Sequence, residues 1–70
     1  MNSIFRVIGL RIAKRRKELK YSQEYLAELT GVHRNFIGYV ERAEKRISIE
    51  RLYKIAKALN IPLEKIFQGL

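Results

Sequence analysis

The sequence predicts a small all-α fold of five helices, on the basis of three observations. Apolar residues recur at spacings of three and four along most of the chain, and no alternating run indicates a strand. Ser22 and Ser48 stand just before two of these apolar segments, where a hydroxyl can cap a helix. Gly31 and Asn60 follow two segments, and Pro62 precedes the last, as is typical of helix ends and beginnings.

The predicted helices are joined by short connections. The expected ranges are residues 4–19, 23–30, 34 to 41 or 42, 49–59 and 62–68. The apolar residues that carry the spacing are Ile4, Phe5, Ile8, Ile12, Leu19, Leu26, Ala27, Leu29, Ile37, Val40, Ile49, Leu52, Ile55, Ala56, Leu59, Leu63, Ile66 and Phe67. Gly9 lies inside the first helix, where glycine costs about 1 kcal/mol relative to alanine. We therefore expect either fraying before Gly9 or a neighbouring backbone that passes close to it.

The composition limits the kinds of site that the chain can carry. It has no cysteine and a single histidine, His33, which has no Cys or Ser–Asp partners for catalysis. No apolar run approaches the roughly 18 residues that span a membrane, and the apolar start precedes the positive charge, unlike a signal peptide. We therefore expect a cytoplasmic, non-enzymatic protein with no metal, no cofactor and no small-molecule ligand.

The charge balance indicates the chemistry of a partner. Lysine and arginine number 15 against 7 acidic residues, which gives a formal net charge of +8. So basic a domain favours a polyanion, and nucleic acid is the first candidate. The alternative is a solvated basic surface that serves only solubility.

The segment from Gln23 to Arg42, QEYLAELTGVHRNFIGYVER, is typical of two helices that cross at a steep angle. Small Ala27 permits a close crossing, Gly31 supplies the turn, and Val32 fills the space beneath it. Ile37 and Val40 would hold the third helix against the domain. The residues left on its outer face are Arg34, Asn35, Gly38 and Tyr39. A helix presented in this way can enter the major groove of DNA.

This part of the chain resembles the phage-repressor and Cro-type (xenobiotic-response-element) helix-turn-helix family. The resemblance rests on this segment and on the runs SQEYLAELTGV and FIGYVERAEKRISIERLYKIAKALNI. The resemblance runs from about Gly9 to Phe67. Within the family, the chain is most similar to controller proteins of restriction–modification systems, which are short and carry a comparable basic loop. The resemblance implies a phage-repressor-like domain over residues 1–70, with the helix-turn-helix at residues 23–42.

Four residues of the third helix are expected to contact bases. Arg34 can bind guanine through two hydrogen bonds, and Asn35 can do the same with adenine. Phe36 stands where controller proteins often carry tyrosine, and it can either touch thymine methyls or pack beneath the turn. Tyr39 lies on the groove side by its spacing from Asn35 and Phe36. For each residue the alternative is an ordinary exposed or packed side chain.

A second group of residues is expected to contact the DNA backbone. The group consists of Ser22, Gln23, His33, Arg42, Lys45, Arg46 and Arg11. The resemblance implies that Gln23 also braces the recognition helix, and that the loop of Arg42, Lys45 and Arg46 runs beside the backbone. Ser22 and His33 have helix capping as another role, and the loop can instead be a solvated run of charge.

The resemblance also implies a structural ion pair between Arg16 and Glu41, which would join the first helix to the end of the third. Leu63, Ile66 and Phe67 crowd the short fifth helix, which cannot turn all of them toward its own core. We therefore expect these three residues to form a symmetric dimer interface, with part of the fourth helix or the loop before it.

The expected function is that of a transcription regulator that binds a double-stranded DNA operator as a homodimer, with half-sites roughly 34–36 Å apart. The resemblance to controllers implies regulation of the protein's own gene and of an endonuclease gene. A phage repressor or a DNA-binding antitoxin is the nearest alternative. A protein-interaction module is the alternative from another class.

Overall fold

The structure, a computed structural model, describes residues 3–70, and these form five α-helices with no strand. The helices are α1 (Ser3–Glu18), α2 (Gln23–Thr30), α3 (Arg34–Glu41), α4 (Ile49–Ala58) and α5 (Leu63–Phe67). The all-α prediction is confirmed, and every helix end lies within one residue of its predicted position. None of the helices in this described range is long and apolar enough to cross a membrane.

Two serines cap helices as predicted. The Ser22 hydroxyl accepts the backbone N–H of Tyr25 at 2.9 Å, and the Ser48 hydroxyl accepts that of Arg51 at 3.2 Å. Each bond satisfies one of the N–H groups that the first turn of a helix leaves without a partner. The beginnings of α2 and α4 are therefore determined by neighbouring residues alone.

Gly31 and Asn60 come after the ends of α2 and α4, as predicted, whereas α5 begins one residue later than predicted. Gly31 adopts a left-handed conformation with φ 74°, and Asn60 does so with φ 52°. Pro62 is the residue before α5 and not its first residue, because its ψ of 142° is extended. Helix α5 therefore begins at Leu63.

The core consists of residues from all five helices. The fully buried large side chains are Ile12, Leu26, Ile37, Ile55, Leu59 and Ile66. Leu29 and Ile49, predicted as apolar core positions, are instead 46% and 59% exposed. Leu29 lies outside the buried face of α2 formed by Leu26 and Ala27, and Ile49 is the first residue of α4. Spacing alone cannot show how wide a face the neighbouring helices cover.

Gly9 marks the close approach of α1 and α3. A Cβ atom at this position would lie 2.8 Å from the carbonyl oxygen of Glu41 and still closer to that of Val40. Of the two expectations for Gly9, the second is confirmed, since the helix continues through it and a neighbouring backbone passes against it. This approach places the C-terminal end of α3 against α1.

Candidate nucleic-acid interface

The outer face of α3 begins at an exposed N-terminus. Arg34 and Asn35 are exposed, whereas Ile37 and Val40 are buried against the other helices. The predicted division of this helix into an inner and an outer face is therefore confirmed. The helix presents a long cation and an amide, which are groups that can donate hydrogen bonds to base edges.

A polar recess of about 220 Å³ lies along this outer face. The residues that line it are Gln23, Arg34, Asn35, Gly38, Tyr39 and Arg42. Gly38 forms its floor and is itself buried, because Arg42 and Gln23 cover it: a Cβ there would lie 3.0 Å from Nη1 of Arg42 and 3.3 Å from Oε1 of Gln23. A side chain at position 38 would therefore displace the groups that line the recess.

Glu41 fastens the end of α3 to two other helices. Its carboxylate accepts hydrogen bonds from Nε of Arg16 at 2.6 Å and from Nη2 at 3.1 Å, and the two side chains are only 7% and 10% exposed. Nη1 of Arg16 donates to the backbone carbonyl of Tyr21 at 2.7 Å. The predicted ion pair is confirmed, and its paired hydrogen bonds hold α3 in a defined orientation.

Gln23 takes part in the same network. Its Nε2 donates to Oε1 of Glu41 at 2.9 Å, so the predicted bracing of the recognition helix is confirmed. The side chain is half-buried and also lines the recess, which leaves its contact with phosphate as a prediction. Ser22 is exposed beside it, and its hydroxyl serves as the cap of α2.

His33 caps α3. Its Nδ1 accepts the backbone N–H of Asn35 at 3.1 Å, and the ring is exposed. The capping role is therefore confirmed, whereas a contact between His33 and phosphate stays a prediction. Capping requires Nδ1 to be the unprotonated nitrogen.

The two aromatic residues of α3 differ in environment. Phe36 is half-buried and packs against the core, with the guanidinium of Arg51 5.1 Å from its ring centroid. Packing against the core is thus part of its role, whereas a contact with thymine methyls stays a prediction. Tyr39 lies under two cations, with Nζ of Lys45 at 5.0 Å and the guanidinium carbon of Arg42 at 5.6 Å from its ring centroid. Sequence reasoning did not place Arg51 at this site, because its partner Phe36 is fifteen residues away along the chain.

The loop after α3 presents exposed basic side chains beside the recess. Arg42 donates from Nε to Oε1 of Glu44 at 3.0 Å, and both side chains remain about half exposed. The Arg46 guanidinium lies 6.0 Å from the ring centroid of Phe5. The loop therefore carries exposed cations and one carboxylate directly after α3.

Arg11 bonds to α5, and its contact with the DNA backbone stays a prediction. Its Nη1 donates to the carbonyl oxygen of Ile66 at 2.9 Å and, at 3.4 Å, to that of Lys65. The guanidinium thereby satisfies carbonyl groups of α5 that the helix itself leaves without a partner. Arg11 fastens α1 to α5, and its contact cannot be inferred from the local sequence.

The predicted dimer residues separate into two kinds. Ile66 is fully buried within the chain, so its assignment to an interface is wrong, because it has no surface to offer a partner. Leu63 and Phe67 are half-buried and retain exposed area. Ile49, which was expected in the core, offers a further exposed apolar side chain on α4.

Among the described residues, no group of three His, Asp or Glu side chains comes together to hold a metal ion. The recess itself is lined by cationic and neutral groups, with no carboxylate among its residues. Its hydrogen-bonding groups therefore suit an anionic or polar partner better than a cation.

The chain belongs to the helix-turn-helix family of phage-repressor and Cro type, since the Helix-turn-helix family model matches residues 12–66. The curated relatives that it matches include a control protein and transcriptional regulators. Control protein C.SmaI of Serratia marcescens is 49% identical over 51 residues, which are 70% of this chain and 61% of that protein. The chain thus spans about three fifths of that relative.

Two solved structures show the same fold. The restriction–modification controller protein C.AhdI of Aeromonas hydrophila superimposes with a TM-score of 0.90 at 33% identity, over 94% of this chain and 100% of that one. The P22 c2 repressor, solved in complex with synthetic operator 9T, gives a TM-score of 0.81 at 35% identity, over 90% of this chain and 96% of that one. The predicted phage-repressor-like fold is confirmed.

Proposed function

We propose that this protein regulates transcription by binding a specific DNA operator as a homodimer, with one α3 helix in the major groove of each half-site. The observation that carries the proposal is the braced recess along α3. Its base-reading candidates, Arg34 and Asn35, stand exposed at one end, and glycine at position 38 leaves room for the Arg42 and Gln23 side chains that line it. The bonds of Glu41 to Arg16 and Gln23 hold this face in place before DNA arrives. Preorganised donors lose less entropy when they bind base edges.

The homodimer is supported by exposed apolar area on α4 and α5. Leu63 and Phe67 are four residues apart, so they lie on one side of α5, and both retain exposed area. Ile49 is a further exposed apolar side chain at the beginning of α4. A two-fold contact through this surface would place two α3 helices on one face of the duplex, with half-sites roughly 34–36 Å apart.

The biological role that we propose is that of a restriction–modification controller, which regulates its own gene and that of an endonuclease. The similarity to C.SmaI and C.AhdI favours this role. A phage repressor is the second candidate, favoured by the similarity to the P22 c2 repressor. An endonuclease or methyltransferase gene beside the gene of this protein, with a matching operator between them, would decide for the controller.

Selection of bound duplexes from random DNA tests the operator proposal directly. We expect enrichment of a sequence with two-fold symmetry, bound at least about a thousandfold more tightly than scrambled DNA of equal length. Equal affinity for the selected and scrambled duplexes in a competition gel shift would overturn it. Binding of a protein partner with no DNA affinity would favour the interaction-module alternative.

Substitution of Arg34 separates base contacts from backbone contacts. Arg34→Ala should cost about 1–3 kcal/mol at the operator and relax the base preference at one position per half-site. Arg34 also forms an ion pair with Glu24, at 3.9 Å, but both side chains are well exposed. Such a pair contributes little, so the loss reports the contact with DNA. Arg42→Ala should instead weaken binding without changing the base preference at any position, as loss of a phosphate contact does. Equal losses on all sequences for both variants would contradict this division.

The salt dependence of binding tests what the positive charge does. If the dimer makes about six phosphate contacts, the logarithm of the operator affinity should fall with the logarithm of salt concentration at a slope steeper than about −5. This expectation rests on the net charge of +8, with Arg42 lining the recess and Lys45 over the ring of Tyr39. Fluorescence anisotropy at several potassium chloride concentrations gives the slope. A nearly flat response would show that the charge does not serve DNA binding.

A further inference from the structure

The carboxylate of Glu44 is placed unusually for a surface that binds a polyanion. It lies on the loop beside the recess, and the backbone N–H of Glu44 donates to the carbonyl of Tyr39 at 2.8 Å, which anchors the residue to α3. Its Oε1 accepts a hydrogen bond from Nε of Arg42 at 3.0 Å. Near DNA phosphates such a carboxylate is repulsive, so its presence on this surface calls for a physical role.

The Arg42 guanidinium is held from three directions. Glu44 binds its Nε, the ring of Tyr39 lies 5.6 Å from its central carbon, and Gly38 leaves the space in which its terminal nitrogens lie. A guanidinium has five N–H groups, and the four on its terminal nitrogens are not used by the bond to Glu44. Arg42 therefore lines the recess in a defined orientation while half of its side chain is exposed.

We propose that Glu44 is a specificity-determining residue, which orients Arg42 for the operator and partly neutralises it toward all other DNA. This inference rests on the proposed function. On random DNA the protein has no fixed register, and binding depends almost wholly on charge, so the carboxylate only weakens it. On the operator a phosphate has a fixed position. A guanidinium that is already oriented loses less entropy when it binds this phosphate, and the smaller loss offsets the repulsion between the carboxylate and DNA. Glu44 thus widens the difference between the two affinities.

The test compares two exposed Arg–Glu pairs. Glu44→Gln should raise affinity for scrambled DNA about three- to tenfold, as expected for one removed charge at contact distance, and change operator affinity less than about twofold. The matched control is Glu18→Gln, which removes the same charge from the exposed pair with Arg15 (3.4 Å) on α1. Because Arg15 bonds the carbonyl of Leu59 on the α4 side of the fold, this control lies away from the recess. It should change both affinities less than about twofold, since distant surface charges are screened.

Repeating Glu44→Gln in an Arg42→Gln background isolates the contact between the two side chains. If Glu44 acts through Arg42, the orienting benefit is absent in this background while the repulsion remains, so removing Glu44 should raise affinity for the operator as much as for scrambled DNA, about three- to tenfold. An operator affinity that changes less than about twofold in this background as well, or a Glu44→Gln variant that behaves like Glu18→Gln, would overturn this inference while leaving the proposed function intact. A wild-type chain that does not distinguish operator from scrambled DNA would overturn both.

Discussion

Replacing Glu41 with alanine should cost about 3–5 kcal/mol of unfolding free energy, the largest effect that we expect from a single substitution. The Arg16 guanidinium would remain in a site where its side chain is only 10% exposed, with no carboxylate to accept its Nε and Nη2 hydrogen bonds. Gln23 would lose its partner as well. A domain of this size holds roughly 3–5 kcal/mol in total, so the variant should be largely unfolded at room temperature.

Circular dichroism without denaturant shows the loss of helix in this variant, and urea denaturation gives the free energy of unfolding of the wild type and of the variants that remain folded. The matched control is Glu18→Ala, which breaks the exposed pair with Arg15 and should cost less than about 1 kcal/mol. Replacing Arg16 and Glu41 together with methionine should recover part of the loss, because no buried charge is then left alone. If Glu41→Ala were as stable as Glu18→Ala, the network would not hold α3 in place.

Placing a charge on the proposed dimer surface should reduce operator affinity by more than about a hundredfold, because a monomer reaches only one half-site. Leu63→Glu and Ile49→Glu test the surface from α5 and from α4. Ile49 is 59% exposed and begins its helix, where a glutamate is compatible with the helix dipole, so this variant should keep its fold. Each variant would bring two like charges together across the two-fold axis.

Sedimentation at micromolar concentration should show dimer for the wild type and folded monomer for both variants, with unchanged helical circular dichroism. Leu29→Glu is the control, since Leu29 is 46% exposed on α2 and lies outside the proposed surface. It should remain dimeric and bind the operator as the wild type does. Wild-type protein that sediments only as a monomer, with and without operator, would contradict the dimer.

Local sequence determined the secondary structure of this protein almost completely. The caps at Ser22 and Ser48 and the left-handed Gly31 and Asn60 each depend on backbone groups at most a few residues away. Such interactions are set by short-range geometry, and for this reason the helix boundaries agree with their predictions. The two faces of α3 also follow from spacing, because its buried pair, Ile37 and Val40, are three residues apart.

Only the tertiary structure decided which side chains are left for partners. Arg11 and Arg34 are equally basic in sequence, yet Arg11 is bound to carbonyls of α5, fifty-four and fifty-five residues away, while Arg34 stays exposed. Ile66 and Leu63 are similar apolar residues on one helix, yet only Ile66 is fully enclosed. The sequence by itself established the helices and the family resemblance. Burial and the partners of long side chains depend on segments distant along the chain, so they were determined only when the helices packed.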